Sequence, residues 1–207
     1  MMSTTGLLKK SPQRAFRPLI LFLFASVLLF AACDSKERYR KQLEGKGIEF
    51  STEVFLERIG IENREVIELF LKAGMDPNAE GKYGETALML AAVYHNKEFV
   101  DLLVAHGARV NAKNNEGYSA LMFIASQGNS DMAEFLVRKG ADVDAQNNYG
   151  ETPLMLAILN DHIDMARLLL EKGADVEKKN TMGHSALHYA FLNKQMEEVL
   201  KQAIMKK

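Results

Sequence analysis

The stretch YGETALMLA at residues 83–91 returns almost unchanged as YGETPLMLA at residues 149–157. In the second copy Thr152 suits the N-cap of a helix, because its hydroxyl can accept a hydrogen bond from a free backbone N–H of the first turn. Pro153 then suits the first helical position, where a missing N–H costs nothing. Leu154, Ala157 and Ile158 follow at i, i+3 and i+4. The repeated phrase therefore predicts the start of a short helix with one apolar face.

The pattern around this phrase recurs with a period of 33 residues. In each unit a second apolar helix follows the first, and a glycine suits the left-handed residue that ends it. One unit alone cannot bury its apolar faces, whereas stacked units can, so the sequence predicts a stack of similar helical units. Two sets of glycines mark the period, at residues 84, 117, 150 and 183 and at residues 74, 107, 140 and 173.

The period and the segments ETALMLAA, YSALMFIA, ETPLMLAI and HSALHYAF resemble the ankyrin repeat and its T-P-L-H-x-A signature. The resemblance implies an all-α ankyrin-repeat solenoid of helix-turn-helix units with short hairpin loops. About five repeats are expected, and the two end repeats are atypical. The expected repeat domain spans residues 49–207, with an N-terminal cap repeat at 49–80, full repeats at 81–113, 114–146 and 147–179, and a C-terminal cap repeat at 180–207.

The N-terminus has the features of a targeting segment. Residues 1–18 carry four basic residues and no acidic one, and residues 19–32 form the unbroken apolar run LILFLFASVLLFAA. A helix needs about 20 apolar residues to span a bilayer, so this run is too short. A short apolar run behind positive charge is typical of a secretory signal peptide, which we predict at residues 1–32.

Cys33 is the only cysteine of the chain and directly follows this run. Its setting resembles the lipobox of bacterial lipoproteins, although Phe30 stands where that motif usually has Leu. The resemblance implies a multiply acylated Cys33 that anchors the chain in a lipid bilayer, facing the periplasm of the cell envelope. Asp34 slightly favours the inner membrane. A buried free cysteine or an ordinary secretory cleavage is the alternative.

Residues 33–48 complete the predicted membrane attachment. They are mostly charged or polar and are expected to form a stalk, partly helical around Tyr39 and Leu43. Fully extended, residues 34–49 would reach roughly 50 Å, enough to hold the repeats away from the bilayer.

Composition and motifs argue against nucleic-acid binding and catalysis. Beyond residue 32 the chain holds 22 basic and 27 acidic residues and no basic stripe, which disfavours nucleic acid. His184 and His188 have the i, i+4 spacing of two metal ligands, but His188 falls where the ankyrin signature has a structural histidine. Asp161 and His162 fall in an expected turn. We therefore expect no enzyme, metal or cofactor, with a hydrolase or metal enzyme as the weaker alternative.

Methionine occupies one position of the first helix in three successive units, at Met89, Met122 and Met155. Packing by a flexible thioether is the expected reason. An adaptable contact surface or a sink for oxidants is the alternative.

The resemblance implies that the hairpin tips and the exposed side of each first helix line a concave groove for a protein partner. Tyrosine is enriched at such interfaces, and four of the six tyrosines fall at these positions. We expect a monomer that tethers or assembles an unidentified envelope protein, or alternatively an immunity protein that neutralises a toxin acting in the periplasm. The candidate partner-binding residues are Tyr83, Glu85, Tyr94, Glu116, Tyr118, Gln127, Tyr149, Glu151, Asn160, Met182 and His184.

Overall fold

A computed structural model of the chain describes residues 34–61, 63–191 and 193–205. The predicted signal peptide and Cys33 lie outside the described residues. Within the described ranges, no helix is both long enough and apolar enough to cross a membrane.

Short helices, joined in pairs, make up almost all of the regular structure of the described residues, so the prediction of an all-α solenoid is confirmed. The first helix of each pair is called the inner helix and the second the outer helix, and a hairpin joins each outer helix to the inner helix of the next pair. A helix α1 at residues 34–45 comes before the first pair. The pairs are α2 (Thr52–Ile59) with α3 (Arg64–Lys72), α4 (Ala87–Val93) with α5 (Lys97–Ala105), α6 (Ala120–Gln127) with α7 (Ser130–Arg138), α8 (Pro153–Leu159) with α9 (Ile163–Glu171), and α10 (Ala186–Ala190) with α11 (Lys194–Met205).

The inner helices start as the repeated phrase predicts. The hydroxyl of Thr152 accepts a hydrogen bond from the backbone N–H of Met155 at 3.3 Å, and Pro153 is the first residue of α8. Thr86 and Ser119 cap α4 and α6 in the same way. All three capping residues are buried. Helices α4, α6 and α8 thus each begin at a side-chain cap directly after a hairpin.

The core runs through the stack between the inner and outer helices. Ala91 and Ala157 are fully buried and small, which lets neighbouring inner helices approach closely. Neighbouring inner helices also make more extensive contacts than neighbouring outer helices. The contacts between neighbouring repeats are therefore more extensive on the inner side of the stack.

The three methionines of the inner helices belong to this core. Met89, Met122 and Met155 are at most 2% exposed. Packing is therefore their role, and the alternative of a contact surface is wrong for these three residues.

Successive hairpins are joined by one backbone hydrogen bond each. The N–H groups of Asn115, Asn148 and Thr181 donate to the carbonyls of Tyr83, Glu116 and Tyr149 at 3.0, 3.0 and 2.9 Å. Gly117 shows why a glycine recurs in these turns. Its φ is +82°, and a Cβ there would lie 2.7 Å from the backbone nitrogen of Asn148. Only glycine combines that backbone conformation with so close a neighbour.

Helix α1 corrects the prediction of a stalk that stands apart from the repeats. The segment is helical, as expected around Tyr39 and Leu43, but Leu43 is fully buried and Tyr39 packs against the same core. The side chain of Lys36 lies beside Gly74 at the end of α3, and Lys46 forms a 3.1 Å ion pair with Glu65 at its start. Helix α1 therefore runs antiparallel to α3 as part of the folded domain, because burying Leu43 is worth more than leaving it in water.

Candidate protein-binding surface

The tips of the four hairpins expose equivalent residues in successive repeats, which we call the tip row: Tyr83, Glu116, Tyr149 and Met182. Tyr83, Tyr149 and Met182 are 65%, 54% and 66% exposed, and Glu116 is exposed as well. The carbonyls of the first three members accept the bonds between hairpins. Side chains rather than these carbonyls are thus what the tip row offers to another molecule.

A second set of exposed residues, the turn row, follows the inner helices: Tyr94, Gln127 and Asn160. Tyr94 is 53% exposed, and one face of its ring covers the preceding repeat, since a Cβ on Gly60 would lie 3.1 Å from the ring. The Asn160 amide donates to the carbonyl of Leu156 at 2.8 Å. Tyr94 and Asn160 are thus partly held by the protein and partly open to solvent, and Gln127 is exposed.

Three asparagines close the hairpins, and sequence reasoning missed them. The Oδ1 atom of Asn147 accepts hydrogen bonds from the backbone N–H groups of Tyr149 and Glu151 at 3.0 and 2.9 Å. Asn114 and Asn180 make the equivalent pairs of bonds in their own hairpins. The signal was visible as asparagine at a constant 33-residue spacing, a residue whose side chain readily hydrogen-bonds nearby backbone in turns.

Two of the three glutamates predicted to face a partner are engaged within the protein. The Glu85 carboxylate accepts from the backbone N–H of Tyr83 at 2.8 Å. The Glu151 carboxylate accepts from the Asn147 amide at 2.8 Å and from the Tyr118 hydroxyl at 3.4 Å. Their first role is to support the hairpins, whereas the Glu116 side chain lies exposed on the tip row.

Tyr118 differs from the exposed residues of the tip row because its side chain is half-buried. Its ring packs on a small cluster that contains Met122 and Leu156, and it stacks on Phe123 with 5.4 Å between ring centroids. Burial, followed by the nearby negative charge of Glu151, raises the pKa of the Tyr118 hydroxyl. A half-buried phenol that donates to a carboxylate is a structural element of the hairpin.

His184 and His188 stack face to face in the last repeat, 3.6 Å apart with an interplanar angle of 9°, and Tyr189 meets both rings edge-on. The lone pairs of an imidazole lie in its ring plane, so two parallel rings at this separation do not point at a common metal ion. Across the described ranges, no group of three His, Cys, Asp or Glu side chains is placed to hold a metal. The Nδ1 atom of His184 is buried without a hydrogen-bond partner in the same described part.

Asp161 and His162 do not form a dyad. The Nε2 atom of His162 lies 3.0 Å from the carbonyl of Ser126 in the previous repeat, while the Asp161 carboxylate accepts from the Asn193 amide at 2.5 Å in the next one. His162 therefore contacts the previous repeat, whereas Asp161 contacts the next one.

Comparison with known proteins identifies the repeats. The family described as ankyrin repeats matches in three overlapping stretches, residues 58–147, 110–180 and 139–206, which together cover more than half of the chain. A search of curated proteins found no match. The chain therefore belongs to the ankyrin-repeat family, whose stacked repeats generally serve as protein–protein interaction modules without catalytic activity.

Proposed function

We propose that this protein is a membrane-anchored binding module of the bacterial cell envelope, and that it holds one partner protein along the tip row and the turn row. One observation carries the location of the site. Seven of the eight large apolar side chains that are exposed in the described residues lie at hairpin tips or at, or just beyond, the ends of inner helices. They are Ile61, Tyr83, Tyr94, Tyr149, Leu159, Met182 and Phe191, and the eighth, Met205, is at the C-terminal end.

The opposite side of the stack has a different character. Solvent-accessible ion pairs join neighbouring outer helices there: Asp101 pairs with Lys139 at 2.5 Å and Glu134 pairs with Lys172 at 3.0 Å. Arg64 and Glu98 pair in the same way. A charged surface of this kind is stable in contact with water. Clustered tyrosine and methionine side chains, in contrast, are typical of surfaces that a protein partner covers.

The packing of the inner helices supports the same assignment. The tips and the turn row flank the inner helices, where neighbouring repeats make their most extensive contacts. A partner segment lying there can touch several repeats at once. Exposed aromatic rings are typical anchors for such a contact.

The membrane attachment rests on the sequence. The cationic segment, the apolar run and Cys33 support a lipidated N-terminus, and Asp34 after the cysteine supports retention in the inner membrane. In this proposal the repeats face the periplasm.

Site-specific photo-crosslinking in living cells tests the binding site. A photoreactive phenylalanine derivative would replace Tyr83 or Tyr149 in the tip row, or Arg167 on the outer surface as a matched control. We expect one discrete adduct from both tip positions and none from position 167. An adduct from position 167 alone would place the partner on the outer helices and refute the assignment.

A further inference from the structure

We propose that the tip row binds a partner held at the surface of the same bilayer that carries the lipid anchor. This inference rests on the proposed anchoring at Cys33 and on the proposed binding role of the tip row. It adds the position of the row relative to the membrane and hence the class of partner: a protein embedded in, or bound to, that membrane. The structural basis is the docking of α1.

Helix α1 leaves no flexible spacer between the anchor and the repeats. Helical structure is already present at Asp34, the residue after Cys33 in sequence. Leu43 is fully buried in the core, Tyr39 packs against it, and Arg40 lies over the ring of Phe50 at 4.6 Å. The roughly 50 Å that an extended stalk would have supplied is therefore absent.

The direction of α1 decides which side of the domain the anchor meets. Its start lies beside the end of α3, since the Cδ atom of Lys36 is 3.1 Å from where a Cβ on Gly74 would be. Its end lies beside the start of α3, where Lys46 pairs with Glu65 at 3.1 Å. Outer helices end, and inner helices begin, on the side of the hairpins. The lipidated end of α1 is thus on the hairpin side.

This places the first tip close to the anchor. From Asp34 to Lys36 the helix advances only about 3 Å. The nine residues from Gly74 to Tyr83 span at most about 30 Å even if fully extended, and the hairpin folds them back. The remaining tips follow at the spacing of packed helices, about 8–10 Å each, so the row from Tyr83 to Met182 is about 25–30 Å long. A partner that covers this row must reach into the layer next to the bilayer.

Energy transfer to the membrane tests the geometry on the full lipidated protein. Lys82→Cys places a dye beside the first tip, and Glu198→Cys places it on α11 at the far end; acylated Cys33 does not react with the dye. Both proteins are reconstituted in phosphatidylethanolamine–phosphatidylglycerol vesicles whose headgroups carry an acceptor. We expect transfer at least about twofold higher from position 82, because it lies on the hairpin next to the anchored end of α1, whereas α11 belongs to the last helix pair, beyond a row of tips about 25–30 Å long.

A matched chain with a flexible 20-residue Gly-Ser insert between Cys33 and Asp34 is the control, and it should abolish the difference between the two dyes. Equal transfer from both dyes in the native chain would overturn the inference. Flotation of the vesicles is measured in the same samples and reports on the anchor itself. A chain that fails to float refutes the proposed anchoring, whereas a chain that floats with equal transfer refutes only the membrane-proximal placement of the tips.

The class of partner has its own test. A soluble Cys33→Ser chain with the photoreactive group at position 83 is illuminated with washed membranes or with the soluble periplasmic extract. We expect the adduct with membranes and not with the extract. An adduct from the extract alone would overturn the inference while leaving the tip row as the binding site. No adduct from either fraction would contradict the binding site itself.

Discussion

The carboxylate of Glu85 accepts a hydrogen bond from the backbone N–H of Tyr83 at 2.8 Å. It does so in the hairpin where Gly81 stands in the place of the closing asparagine that the next three hairpins have at Asn114, Asn147 and Asn180. A Cβ on Gly81 would lie 2.3 Å from the Glu85 Oε1 atom. The two positions therefore depend on each other: glycine makes room for the glutamate, and the glutamate supplies the missing acceptor.

This relationship predicts that Glu85 stabilises the domain. Glu85→Ala should lower the free energy of unfolding by about 0.5–1.5 kcal/mol, the usual net value of one hydrogen bond. The matched control is Glu116→Ala, whose side chain is exposed on the next tip and whose loss should change stability by at most about 0.5 kcal/mol. Urea unfolding of the soluble domain, residues 34–207, measures both.

A compensating change makes this prediction sharper. Adding Gly81→Asn to Glu85→Ala should recover most of the lost stability, because it restores the closing group of the other hairpins. Gly81→Asn alone should not stabilise, because the new side chain would meet the carboxylate. Equal stability of the two alanine variants would show that the Glu85 bond does not contribute.

The starts and ends of the helices were predictable from the sequence, because they depend on local chemistry and on the 33-residue period. Thr152 and Pro153 mark the start of α8 because capping and the missing proline N–H act within one turn. Gly173, with a φ of +93°, ends the outer helix of the same repeat. The 33-residue spacing then transfers each such position to the other repeats, which is why the fold was predictable.

The hydrogen bonds that individual side chains form within and between hairpins could not be predicted from the repeat period. Glu85, Tyr118 and Glu151 occupy one repeat position, and position alone suggested exposure for all three. The structure engages Glu85 with its own hairpin and joins Tyr118 to Glu151 across two hairpins. Which rotamer a side chain takes depends on its neighbours in space. The burial of Leu43 could likewise not be predicted, because Leu43 lies in a mostly charged segment. This one buried residue determines whether α1 docks on the repeats.

Docking of α1 predicts that Leu43 contributes as much as a core residue of a full repeat. Leu43→Ala should cost about 2–5 kcal/mol of unfolding free energy, in the range expected for Leu154→Ala, since both side chains are fully buried. Lys41→Ala, an exposed position on the same helix, should change stability by at most about 0.5 kcal/mol. If Leu43→Ala behaves like Lys41→Ala, α1 is a free stalk after all. Urea unfolding decides between the two.

The raised pKa of Tyr118 predicts a loss of stability in alkali. Burial and the charge of Glu151 favour the neutral phenol in the folded state. The resulting stability is present below the unfolded value of about pH 10 and is lost as the pH rises through the folded pKa. Tyr118→Phe has no proton to lose, so its urea midpoint should fall less than that of the unsubstituted domain between about pH 8 and about pH 11. Tyr149→Phe, at an exposed tip, is the control. Identical pH profiles for all three proteins would contradict this reasoning.

The proposed anchoring at Cys33 predicts a change of cell fraction. Cys33→Ser should move the protein from the membrane fraction to an uncleaved precursor or a soluble form, because the thiol that would carry the lipid is gone. Stable anchoring needs more than one acyl chain, each buried CH₂ contributing about 0.8 kcal/mol. Fractionation with immunoblotting measures the outcome. A substituted chain of mature size that still sediments with membranes would refute the lipoprotein interpretation.

The tip row predicts how substitutions divide between binding and folding. Tyr83→Ala and Tyr149→Ala should each weaken partner binding by about 2 kcal/mol or more, roughly thirtyfold in Kd, as truncation of an interface anchor does. Both side chains are more than half exposed, so the unfolding free energy should change by at most about 0.5 kcal/mol. Tyr118→Ala should lower stability, because its ring is packed on Met122 and Leu156.

Glu134→Ala and Arg167→Ala on the outer helices are the matched controls and should leave binding unchanged. The measurement is titration of each purified variant with the partner identified by crosslinking, beside urea unfolding of the same samples. Normal binding by both tyrosine variants together with loss of binding by the outer-helix variants would place the partner on the charged side. In that case the exposed tyrosines would serve only to cover their neighbouring repeats, as the ring of Tyr94 does over Gly60.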